Sequence, residues 1–255
     1  MKKIQLFALF IALGVASACK SEEANPEQIV STTLAPPSDL LLANATLTGA
    51  NEVPAVTTTA TGSASGSYNK TSKLLNLNVT YAGITPTAWH IHNGASGVAG
   101  PVIYNFGTTF STPFTYVSPI SLATDQETNL LAGSNYVNIH SAKAPGGEIR
   151  GQLALTPSAA QGSITGKFNN STKVLTLQIS YLGLTPTMWH IHKGAAGVAG
   201  PVILDLGNTF VSPFNFSTSA LDATQEADLK AGLFYVNIHS AAVPSGEIRG
   251  QLNVK

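Results

Sequence analysis

Six histidines are the residues of this chain best suited to chemistry, and they come in matched pairs. His90 and His92 lie in TAWHIHNGASGVAGPVI (87–103), and His190 and His192 lie in TMWHIHKGAAGVAGPVI (187–203). The other two are His140 in YVNIHSAKAPGGEIRGQL and His239 in YVNIHSAAVPSGEIRGQL. The only arginines, Arg150 and Arg249, and the only tryptophans, Trp89 and Trp189, fall in the same four segments. On a β-strand, His-x-His places both imidazoles on one face, about 6.5 Å apart at Cα, and a neighbouring strand runs ~4.8 Å away. If His140 sits on that neighbour, three imidazoles meet in the first copy, and His239 completes the same trio in the second. Three imidazoles with one position left open form the pattern of a catalytic zinc site, and nitrogen-rich sites also suit copper.

The polar residues of the same strands bear on this reading. Asn138, Glu148 and Arg150, with Asn237, Glu247 and Arg249 in the second copy, alternate onto the outward faces. Glu148 could serve as a ligand or as a partner that orients one. The competing account needs no metal: these side chains would form a hydrogen-bonded ladder across strands, with Glu148 paired to Arg150. A ligand-recognition surface is the third account.

Other chemistries fall away. Gly94, Gly97 and Gly100 are spaced G-x-x-G-x-x-G and lead into PVI, so the helix that phosphate binding needs is missing. Positive φ or close backbone packing explains these glycines better. Ser141 follows His140 directly, which sends the two side chains to opposite faces of a strand and argues against a Ser–His pair. No catalytic constellation is recognised, so the expectation is a protein that is not an enzyme and carries no cofactor beyond a zinc or copper ion.

The elements that must position these groups are strands. Leu75, Leu77, Val79 and Tyr81 alternate with Asn76, Asn78 and Thr80, and Leu175, Leu177, Ile179 and Tyr181 repeat the pattern. Period two over this length means a half-buried strand. NKTSK and NNSTK before them predict hairpin turns. One short helix per copy is expected. Thr124 with Glu127 and Gly133, and Asp222 with Gln225 and Gly232, read as capping boxes and stops. His90 to His190 is an offset of 100, and one residue is lost before His239. A repeat of that length is a tandem domain. The expected fold is all-β: two β-sandwiches spanning 45–155 and 156–255. The first opens with TLTGANEVPAVTTTATGS and the second only with ALTPSAAQGS, so the second lacks an edge strand, and the first domain is expected to cover the gap.

The chain of 255 residues is 44% hydrophobic and 10% charged, with 13 basic and 13 acidic side chains. That balance argues against a nucleic-acid partner. Residues 1–18 read as a signal peptide: Lys2 and Lys3, then an apolar run, then Ala16-Ser17-Ala18. Cys19 is the only cysteine. Its position resembles the lipid-acceptor cysteine of bacterial lipoproteins, although Ala16 stands where such motifs usually carry Leu or Val. Cleavage after Ala18 without lipidation is the rival. Residues 19–44 then read as lipid anchor and tether, with a Pro-Pro pair and acidic residues. The expectation is a bacterial cell-envelope or surface lipoprotein, outer-membrane associated and held to the membrane by its N-terminal lipid, or else a secreted protein.

LTGANEVPAV, WHIHNGASGVAGPV, LLAGSNYVNIHS and PGGEIRGQL, in that order, resemble the CHRD domain, a family named after chordin. The resemblance implies an immunoglobulin-like sandwich for each copy. Chordin's growth-factor binding belongs to separate cysteine-rich modules and is not implied for a chain with one cysteine. What the resemblance leaves is a binding or structural module with a protein, glycan or matrix ligand.

Overall fold

The computed structural model describes residues 27–115 and 120–255, so the expected leader and Cys19 lie outside the described residues. Two strands open the described chain, β1 (Gln28–Leu34) and β2 (Leu40–Thr48). The first repeat continues through β3 (Thr61–Asn69), β4 (Leu74–Ala82), β5 (Pro86–Asn93), β6 (Val102–Asn105), β7 (Phe114–Thr115) and β8 (Ile120–Ser121). Helix α1 (Thr124–Leu131) follows, then β9 (Asn135–Ser141), β10 (Ile149–Gln152) and β11 (Ala154–Pro157). The second repeat contains β12 (Gln161–Phe168), β13 (Leu175–Leu182), β14 (Pro186–Lys193), β15 (Val202–Asp205) and β16 (Phe214–Ser217). It ends with α2 (Ala223–Lys230), β17 (Phe234–Ser240) and β18 (Ile248–Gln251).

The protein is an all-β pair of sandwich-like tandem domains, each with one short helix, as the alternation requires. In the first repeat the sheet curls on itself in the order β6-β5-β9-β10-β2-β3-β4-β7. In the second, β15-β14-β17-β18 faces β1-β12-β13-β16. Each core closes around a fully buried tryptophan. Trp89 packs edge-on against Tyr81, Phe106 and Phe110 and donates its indole N–H to the Gly107 carbonyl at 3.1 Å. Trp189 repeats this with Tyr181, Phe210 and the Gly207 carbonyl at 3.0 Å.

The tether expectation fails for much of its length. Residues 28–34 and 40–44 are strand, and Val30, Leu34 and Ala43 are fully buried. Short apolar runs flanking Pro36-Pro37 look like linker because neither alternates for long. Their hydrophobic residues become a pattern only when opposite partners are known. β1 does not join the repeat that follows it. It runs antiparallel to β12 from Gln28↔Phe168 to Leu34↔Gly162 and bridges Val254 on its other side, where Ala35, just past the strand, bridges Arg249. The missing edge strand of the second repeat is therefore supplied from the start of the chain, not by the body of the first domain. Leu34 lies over Gly162 and Gly250, where no side chain would fit. β2 takes the corresponding place in the first repeat, between β3 and the β10/β11 segment. Since β11 pairs with β2, the first repeat closes only at Pro157.

The α2 cap is as expected: Asp222 accepts from the Gln225 backbone at 2.8 Å and Gln225 accepts from the Asp222 backbone at 3.0 Å. The α1 cap is shifted by one residue. Gln126 reaches back to the Ala123 N–H, while Glu127 accepts from Tyr68 at 2.6 Å and pairs with Lys73 at 2.8 Å. Gly133 and Gly232 end the helices at φ +70° and +68°. Among the described residues no helix is long and apolar enough to cross a membrane.

The crossing strand gives a test. A fragment beginning at residue 158 should be poorly folded alone, and a synthetic peptide of residues 27–35 should restore a cooperative melt in trans. In the full chain, Leu34→Ala should cost the second repeat about 2–5 kcal/mol and leave the first nearly unchanged. Equal stability of the fragment with and without the peptide would refute the assignment.

Candidate functional site

The site in each repeat is built on a strand pair. Trp89 and Ile91 point into the core, so His90 and His92 point to the opposite face of β5. Beside it β9 places Asn138 opposite His90, Tyr136 opposite His92 and His140 opposite Ala88. The second repeat has the same register on β14 and β17, with Asn237 opposite His190, Tyr235 opposite His192 and His239 opposite Met188. All six histidines are thus brought together as two trios. In each, one ring nitrogen per histidine lies within 4.8 Å of the others.

The hydrogen bonds define which nitrogens face inward. His92 Nδ1 lies 2.9 Å from the Gly100 carbonyl and His140 Nδ1 lies 3.0 Å from the Pro145 carbonyl. A carbonyl only accepts, so both Nδ1 atoms carry a proton, and in the neutral form of each ring it is Nε2 that offers the lone pair. His140 Nε2 lies 3.1 Å from His90 Nδ1. The second repeat repeats all three: His192 to Gly200 at 2.9 Å, His239 to Pro244 at 2.8 Å, and His239 Nε2 to His190 Nδ1 at 3.2 Å. The Nε2 atoms of His92 and His192 are buried and have no hydrogen-bond partner. Two nitrogens bound tetrahedrally at 2.0–2.1 Å from one zinc would stand about 3.3 Å apart, close to the spacing of the paired rings.

The outward face is not a solvated one. β9 and β17 are buried along their whole length on both faces. The glycine loop does the covering. Gly97 turns it at φ +79°, and at Gly100 a side chain would collide with the Asn93 carbonyl. Arg150 stacks on Tyr136 at 3.4 Å and donates to the Ala95 carbonyl at 2.9 Å. Gln152 donates to the Gly94 and Gly133 carbonyls, and Tyr136 stacks on His92 while its hydroxyl accepts from Gly100. Arg249 does the same work on Tyr235, with the Val198 and Ala195 carbonyls.

Two expectations about carboxylates are corrected. Glu148 does not reach the histidines and does not pair with Arg150. It accepts from Thr58 at 2.6 Å and from Ser141, which holds its carboxyl below the usual range. Glu247 likewise accepts from Ser158 at 2.6 Å. Both are drawn to hydroxyls of adjoining segments that no strand alternation could have disclosed. Asn138 instead donates to Glu52 at 3.4 Å, whereas Asn237 donates to the Ser245 carbonyl at 3.1 Å. Glu52 is a buried carboxyl absent from the second repeat, and burial raises its pKa to about 7. Its place in NEVP gave no periodic signal. Tyr136 and Gln152 were legible as same-face neighbours of Asn138 and Arg150, but their role as clamps on the glycine loop was not.

Burial lowers the pKa of His90, His92, His190 and His239, and the neighbouring histidines add to the shift. For His190 the nearby Asp205 opposes it. Four of the six imidazoles are therefore held in the neutral, ligating form at neutral pH.

A family model described as the CHRD domain matches residues 43–153 and again residues 154–252. A comparison with curated proteins finds no similar sequence. Each matched segment carries one complete histidine trio with its glycine loop and arginine clamp, although the strand that completes the second segment comes from before the first. Two copies covering most of the chain show that it belongs to the CHRD domain family.

Proposed function

We propose that this protein is a non-enzymatic binding module whose two repeats each hold one zinc or copper ion, through His90, His92 and His140 and through His190, His192 and His239. Family membership supports a binding or structural module in general. The observation that carries the metal reading is the pair of buried, unpartnered Nε2 atoms on His92 and His192. A purely structural ladder would leave these lone pairs unsatisfied at a cost of about 1–3 kcal/mol each. A metal ion fills them and replaces the close imidazole pairs with bonds. The second reading, a ladder with a protein, glycan or matrix ligand elsewhere, has in its favour that the other histidine nitrogens with polar contacts already have partners. We place the module at the cell envelope, tethered through a lipid on Cys19, on the strength of the lone cysteine after the apolar run.

Titration calorimetry of untagged protein with zinc and copper(II) should give two equivalents per chain. His92→Ala should remove one, and His92→Ala with His192→Ala should remove both. Failure to take up either metal above trace with all six histidines intact would retire this function and leave the ladder.

The pH dependence has a defined sign. The folded pKa values of His90, His92, His190 and His239 lie below the unfolded value near 6.5. The unfolded chain therefore binds protons first as pH falls. Stability from these four is complete above about pH 6.5 and declines as pH drops through the folded values. Metal affinity should fall over the same window. Glu52, whose raised pKa works in the opposite direction over this window, is removed by Glu52→Gln, and a melting temperature of that metal-free variant that is flat between pH 7 and 5 would contradict this.

A further inference from the structure

The two trios share their histidines, tyrosine, asparagine, arginine and glutamine, but the strand positions around them differ, two of them directly opposite the histidines. Asn105 stands opposite His90, and in the second repeat Asp205 stands opposite His190. Ala88 stands opposite His140, and Met188 stands opposite His239. Directly opposed residues on an antiparallel pair point to the same face with Cβ atoms about 4.5–5.5 Å apart. Met188, His190 and Asp205 accordingly line one open cavity at the rim of the second trio, together with Phe210. Asp205 uses Oδ1 to accept from the Gly207 N–H at 2.8 Å, the contact that Asn105 makes with Gly107 at the same distance. The change from amide to carboxylate thus leaves the local turn intact and alters only the charge beside the imidazoles.

Resting on the metal reading above, we propose that the two sites are inequivalent: the second repeat binds a divalent cation more tightly and fills first, because Asp205 places a negative charge beside His190 where the first repeat has the neutral Asn105. Asp205 is not one of the converging donors. It acts through space, as an anion beside the bound ion. With the dielectric constant of water and little salt, a unit negative charge about 6 Å from a divalent ion would favour its binding roughly tenfold, so the titration is run at low ionic strength. The other charges near the site do not cancel this. Arg249 has its counterpart in Arg150, and Lys193, which replaces Asn93, is paired with Asp228 at 2.7 Å. Glu52 of the first repeat is held by Asn138, and burial raises its pKa to about 7, so near neutral pH it carries only part of a charge; Glu52→Gln in the background of both titrations removes it from the comparison. Zinc takes Cys, His and carboxylate ligands and not the Met thioether, so a zinc titration separates the effect of Asp205 from any contributed by Met188.

The experiment is a zinc titration of the full chain against a competing chelator. His92→Ala isolates the second site and His192→Ala isolates the first. The expected result is a dissociation constant about tenfold lower for the second site. Asp205→Asn should bring the two within about threefold, and Asn105→Asp should tighten the first by a similar factor. Asp205→Asn is expected to fold normally, since it recreates the Asn105 turn, and an unchanged melt of the metal-free protein verifies this. Two sites of equal affinity, or a gap that survives Asp205→Asn, would overturn the inequivalence while leaving the metal function standing. No zinc uptake at either site would remove both.

Discussion

The polar architecture of each repeat follows from one constraint: β9 and β17 are buried on both faces. A strand whose inner face carries Val137 and Ile139 and whose other face carries Tyr136, Asn138 and His140 would ordinarily leave the second face to water. Here a glycine loop lies over it. Polar groups beneath that loop are under pressure to find partners, because an unpaired buried group is costly, and most of them do. Arg150, Gln152 and Tyr136 meet the loop's carbonyls and amides, and the loop in turn orients His92 through the Gly100 carbonyl. Gly100 is needed for closeness: a side chain there would strike the Asn93 carbonyl, so only glycine lets the loop close back on the end of β5 with its own carbonyl on His92. The histidine geometry is thus a product of the covering, and the loop and the trio form one unit.

That unit explains how far the site could be read from residues alone. The faces of β5 and β14 were legible because Trp-His-Ile-His alternates without exception, and the meeting of His140 with His90 followed from the adjacency of the strands that carry them. Burial of the polar face was not legible, since Asn, His, Glu and Arg are what a solvated face also contains. Glu148 illustrates the difficulty. Its position in the alternation points it towards the histidines, but Thr58 and Ser141 come from elsewhere in the chain and capture it. Glu52 lies in an irregular segment, so no periodicity could have placed it against Asn138.

The fold was legible in kind and not in connection. Alternation gave the strands, NKTSK and NNSTK the turns, the capping boxes and their glycine stops the two short helices, and the duplication two domains. The absence of an opening strand in the second copy was visible as a gap in the alignment. The strand that fills the gap was not, because residues 28–34 carry only a few apolar side chains between a Pro-Pro pair and an acidic stretch. Val30 and Leu34 gain their meaning from Ile164, Phe168 and Val254, all of them far along the chain.

The crossing strand also sets an order of assembly. During synthesis β1 emerges before every other described strand, yet Leu34 has no partner until Gly162 arrives and Val30 none on its outer side until Val254. β2 meets its hairpin partner β3 almost at once. The first repeat can therefore condense while the leading strand is still an unpaired, partly apolar ribbon. That ribbon matches any second-repeat edge that lacks one, its own or a neighbouring molecule's. At high local concentration an exchange of leading strands between chains competes with self-closure. The short Ala35–Asp39 connection to β2 favours self-closure, because it keeps the ribbon beside the one edge that the same chain will later present.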